Sequence, residues 1–108
     1  MTVTSPQLDA LHARYARSLA SKHSALLEAW RAFKAAQDDA SARKLHGLVH
    51  RLAGSAPTYG YASLGTLARN ADHAFAHGGP GLAERLEGPI EALLDDLARQ
   101  AQRAAAEH

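Results

Sequence analysis

Two histidines one helical turn apart, His46 and His50, sit in the stretch "LHGLVHRLAGSAPTYGY", residues 45–61. Gly47, Gly54 and Gly60 share it. An imidazole with a pKa of ~6.5 is neutral enough at physiological pH to act as a nucleophile or a metal ligand. Glycine inside a helix costs ~1 kcal/mol relative to alanine. Glycines packed beside histidines in a helix-forming stretch therefore need a purpose that offsets this cost.

A helical wheel at 100° per residue separates the two kinds of residue. With His50 at zero, Leu45, Leu48, Val49, Leu52 and Ala56 fall between roughly 160° and 260° and form a core stripe. His46, Gly47, Gly54, Arg43 and Pro57 fall within about 60° of His50. His50 is thus expected to face solvent. Gly47, Ala53 and Gly54 around it are small, so a large rigid partner can approach and reach the ring. Lys44 and Arg51 flank the strip at about 120° and 100°, where cations can meet phosphate or acidic groups. Arg43 lies on the line of His50 itself and is a candidate for partner docking. The layout suits phosphoryl transfer to an imidazole nitrogen. A phosphohistidine must stay open to in-line attack, and metal and positive charge can come from the partner.

The elements that must position His50 read as helices. Valine and isoleucine occur only at Val3, Val49 and Ile90, while alanine is abundant, a helix-forming composition. Ser5 is a plausible N-cap before Pro6. Leu8, Leu11, Tyr15, Leu19, Leu26, Trp30 and Phe33 then define one buried helical face. Ser18, Ser21 and Ser24 weaken its middle, so either two helices or one long bent helix is expected. Asp38 or Asp39 caps the next helix, from about residue 41 to residue 56, and Pro57 with Gly60 ends it. A further helix is expected over about 61–76, with Leu64, Leu67, Ala68, Ala71 and Phe75 buried. "HGGPG" at 77–81 is a turn. The last segment buries Leu82, Leu86, Ile90, Leu93, Leu97 and Ala101. "GP" at 88–89 is expected to split it into a short and a longer helix, and the tail "AQRAAAEH" to fray. No strand signal and no internal repeat are present. The expectation is an all-α, antiparallel helix bundle.

Composition narrows the function classes. The 108 residues suit one domain, 1–108, expected to be a stand-alone module and a monomer. There is no cysteine, hence no disulfide, thiolate metal site or thiol nucleophile. Twelve basic against eleven acidic side chains leave a net charge of +1, which argues against nucleic acid or a polybasic membrane contact. No apolar run approaches the ~20 residues of a membrane span, and "MTVTSPQLDA" lacks signal-peptide features. A cytoplasmic location is expected.

The stretch "HRLAGSAPTYGY" at 50–61, late on a helix of a small alanine- and leucine-rich bundle, resembles the histidine phosphotransfer (HPt) domain. That family carries a histidine, a small or basic residue three positions on, a glycine four positions on and a second glycine near the next helix. Here these are His50, Ala53, Gly54 and Gly60. The resemblance covers nearly the whole chain in helix order and spacing. It implies an up-and-down four-helix bundle with a short additional helix, in which His50 accepts a phosphoryl group from an aspartyl phosphate and passes it on. The implied partners are a response-regulator receiver domain and/or a hybrid histidine kinase. Mg2+ belongs to the receiver, and the HPt domain holds no cofactor and has no kinase activity. Many members have lysine where this chain has Ala53, which leaves the phosphate-contacting role to Arg51 in part.

Two rival readings use the same residues. One is an adaptor that binds a receiver-like domain without transferring phosphate. The other is a metal site on His46 and His50, or on the second such pair, His73 and His77. In "HGLVH", Gly47 stands where a zinc protease needs glutamate, and Asp72 adjoins His73. His73 and His77 read more simply as a solvated helix end, where cationic imidazole suits the dipole. Tyr59 and Tyr61 are expected to pack the bundle corner. "EALLDDLARQAQR" is expected to present a solvated, mixed-charge face.

Overall fold

The computed structural model describes residues 5–107 and contains four α-helices: α1 (Pro6–Ala36), α2 (Asp39–Ser55), α3 (Ala62–Ala74) and α4 (Leu82–Glu107). Among these residues there is no strand. α1 starts where Ser5 accepts the Leu8 backbone N–H at 3.0 Å, with Pro6 at the first position. It is one helix. Ser18 and Ser24 turn their hydroxyls back onto the carbonyls of Tyr15 and Ala20 without ending it. Its 31 residues rise about 46 Å, close to the molecule's long axis of 52 Å.

Gln37 closes α1 in the left-handed region at φ 48°. Asp38 then caps α2, its carboxylate accepting the Ser41 N–H at 2.8 Å. α2 ends as expected at Pro57, which opens a single 3-10 turn, Pro57–Tyr59. Gly60 follows at φ 89°, a conformation that disfavours other residues. α3 leads into a turn in which Gly78, Gly79 and Gly81 all take positive φ.

One core joins the four helices. Trp30, Leu19, Leu26, Leu45, Val49, Leu64, Leu86, Ile90, Leu93 and Leu97 are its largest fully buried side chains. α1 packs on α2 and α4, and α3 packs on the same two. Trp30, the sole tryptophan, donates its indole N–H to Glu91 at 2.9 Å, tying α1 to α4. Tyr59 stacks on Tyr15 with centroids 4.3 Å apart, and Tyr61 leans on Tyr15 at 5.7 Å, so both tyrosines do pack a corner.

Five expectations change. Leu48, Leu67, Leu82 and Ala101 are half-buried at the edge of the core rather than buried in it. Leu8 and Leu11 are exposed, because burial along α1 begins only at Tyr15. Gly88-Pro89 does not split α4, which runs through Pro89. Gly88 has no Cβ to clash with the proline ring, and buried Leu86 and Ile90 anchor the helix on either side. The tail is helical to Glu107, with Ala104 buried. Asp96 is not on a solvated face: it is buried, and Ser63 in the first turn of α3 donates to it at 3.3 Å. α3 has no side-chain N-cap of its own, so a carboxylate near its positive end is favourable.

Candidate functional site

The stripe predicted for α2 sorts its residues as the wheel requires. Leu45, Val49 and Leu52 are buried, and the side chain of His50 is 74% exposed. Arg43, Lys44, Arg51 and Gly54 are also exposed, while Gly47 and Ala53 are half-buried. These residues thus occupy the outer side and flanks of one helix. Arg51 leans back along α2: its Nη1 lies 3.4 Å from where a Cβ on Gly47 would stand. A Cβ on Gly54 would meet nothing within 4 Å. No packing inside the molecule therefore requires glycine at 54, one turn from the exposed imidazole.

Asp72 on α3 completes the site. Its Oδ1 lies 2.6 Å from Nε2 of His46, and its Oδ2 lies 3.2 Å from Nδ1 of His50. A carboxylate only accepts, so the His46 Nε2–H and the His50 Nδ1–H are the donors. That fixes the neutral tautomer of His50. The proton sits on Nδ1, and Nε2 carries the free lone pair. His46 is less exposed, at 45%, and its ring stacks on Phe75 with centroids 4.3 Å apart. Phe75 holds His46, His46 holds Asp72, and Asp72 orients His50.

Burial pushes the Asp72 carboxyl up, but the hydrogen bonds from His46 and His50 outweigh it and hold the group below its ordinary value. Asp72 is therefore ionised at neutral pH. An anion beside Nδ1 can stabilise positive charge that develops on the ring during reaction.

Asp72 did not stand out from its neighbours in sequence, where its adjacency to His73 was the visible feature. The partnership runs between helices instead. His73 and His77 are exposed at and beyond the end of α3. One signal was present: Asp72 lies four residues after Ala68 and three before Phe75, both buried, so it borders the core stripe of α3. Which α2 residues it would meet depends on the register of α2 against α3, which no local pattern encodes.

Among the described residues, no group of three or more His, Cys, Asp or Glu side chains is arranged to hold a metal ion. The two imidazoles address separate oxygens of Asp72 rather than a common point. No described helix is long and apolar enough to cross a membrane. Compared with known proteins, the chain matches no family model, no curated protein and no solved structure.

Proposed function

We propose that the chain is a histidine phosphotransfer domain that relays a phosphoryl group between His50 and aspartates of receiver domains. The observation that carries this reading is the oriented, open imidazole. His50 has its Nδ1–H directed at Asp72, its side chain is largely exposed, and Gly54 beside it has no packing neighbour. In the reaction, the lone pair on Nε2 attacks the phosphorus of an aspartyl phosphate. The N–P bond forms as the O–P bond breaks, and the receiver's aspartate leaves with the electron pair. The ring becomes positive and keeps its Nδ1 proton, which Asp72 stabilises. The reverse attack by another receiver's carboxylate regenerates neutral imidazole. Mg2+ and the groups that neutralise the phosphoryl oxygens belong to the receiver. The chain turns over no substrate and has no kinase activity.

The antiparallel up-and-down path belongs to this proposal. It is supported by the cyclic order of helix contacts and by the two-residue link between α1 and α2. The turn Pro57–Tyr59 is the candidate for the short additional helix. We place the domain in the cytoplasm, as a monomer of one domain, with a receiver docking over α2 at Gly47, Ala53 and Gly54. Lys44, Arg43 and Arg51 add positive charge around the contact.

The test is incubation with a panel of phosphorylated receiver domains and Mg2+, followed by intact-mass analysis. One added phosphoryl group, labile in acid and stable in base, is the expected result. A receiver that co-elutes with the chain and never labels it would instead make the chain an adaptor.

A further inference from the structure

A second feature lies on the opposite flank of α2. Between α1 and α2 opens a cleft of about 810 Å³, within the range of small-molecule sites. Ala25, half-buried Leu48 and Tyr59 supply its accessible apolar surface, over a floor of the buried core residues Leu26 and Leu52. The Tyr59 wall is preorganised. Tyr59 stacks on Tyr15, whose hydroxyl is already paired with Ser55 at 2.8 Å.

Two cations, Lys22 and Arg51, line the same cleft, and no acidic residue does. Among the described residues, neither has a carboxylate within 4.0 Å; the ion pairs there are those of Asp72 and of Asp96 with Arg99. Lys22 is not simply trailing in solvent. Its Nζ donates to Ser18 at 2.7 Å and lies 4.7 Å from the centroid of the Tyr15 ring. Burial pulls its pKa down, so a counter-anion at the ammonium would recover electrostatic energy that the fold leaves unused. An apolar body alone would leave both cations without a partner. A hydrophilic anion alone would leave the Ala25 and Leu48 surface wet.

We propose that the α1/α2 cleft is a binding site for a small amphipathic carboxylate, with its apolar tail against Ala25, Leu48 and Tyr59 and its head group between Lys22 and Arg51. The site requires neither His50 nor a receiver domain and shares only Arg51 with the proposed receiver contact, so ligand binding is tested separately from phosphotransfer.

The experiment is an amide-NMR titration of the full chain with decanoate, alongside decanol and decyltrimethylammonium. Decanoate should saturate one site, with the largest shifts at Lys22, Leu48, Arg51 and Leu52, and should bind at least tenfold tighter than either control. Lys22→Gln combined with Arg51→Gln should weaken decanoate at least tenfold. Leu48→Trp, which fills the cleft from a half-buried position, should abolish binding. Circular dichroism of each variant checks that the helices persist. Equal binding of decanol, shifts scattered over the surface, or unchanged affinity in the double variant would overturn the proposal. So would an acidic amphipathic peptide that binds these residues more tightly than decanoate, since the cleft would then be a protein-docking groove.

Discussion

At His50 the decisive feature is the ring nitrogen that stays free. A surface imidazole samples both tautomers, but an ionised Asp72 at Nδ1 selects one and leaves Nε2 for chemistry. Asp72→Asn removes the anion and the tautomer preference together while keeping the shape. Transfer to His50 should slow about tenfold, the worth of one partly exposed charge-assisted hydrogen bond of ~1.4 kcal/mol. Nitrogen-15 shifts of the His50 ring should show the Nδ1–H form losing its dominance; an unchanged tautomer ratio would remove Asp72 from the mechanism. The same carboxylate makes a stability prediction. Its folded pKa lies below the ordinary value of 3.8, so its contribution is complete above that value and is lost as pH falls through the lower folded one. Urea midpoints of the parent chain and Asp72→Asn should therefore differ at pH 7 and converge below about pH 3.8.

At the scale of the helix, two glycines illustrate opposite uses of the same residue. Gly65 on α3 is fully committed to packing: a Cβ there would stand 2.5 Å from Cγ of Pro57. Gly65→Ala should destabilise the fold by roughly 1–3 kcal/mol, as overpacking does. Gly54 has open space instead, so Gly54→Ala should stabilise α2 by up to ~1 kcal/mol in thermal unfolding. On the proposed function, Gly54→Leu should fold normally and yet lose at least tenfold in transfer rate, because a side chain there starts into open space and would obstruct a docked receiver. Normal transfer by that variant would defeat the clearance argument. The helix pattern was legible where it was local: Ser5 and Asp38 as caps, Pro57 and Gly60 as a stop, and the α2 stripe that turns His50 outward. It failed where tertiary contact decides. Leu8 and Leu11 keep the helical period but lie beyond the packed part of α1. Pro89 is a helix breaker by local rule, yet α4 continues through it, with Leu86 and Ile90 buried on either side. Asp72 and Gly65 matter only through another element, so their own neighbours in sequence are silent about them.

Across the whole molecule, the site is positioned by one shared core. α2 carries His50 and α3 carries Asp72, and the two packed helices fix the 3.2 Å contact between them. Cavities elsewhere in the core should lower stability without touching the chemistry. Ile90→Ala on α4 should cost roughly 2–5 kcal/mol in denaturant unfolding, followed through Trp30, while transfer at 25 °C stays near normal as long as the chain is folded. His50 is the proposed phosphoryl acceptor. Its most direct test compares the parent chain with His50→Gln, each incubated with a phosphorylated receiver and Mg2+, and locates the label by tandem mass spectrometry in base. One phosphoryl group on His50 in the parent and none in His50→Gln, with identical circular dichroism, is the expected result. Label of equal extent in His50→Gln, on His46 or any other side chain, would contradict it.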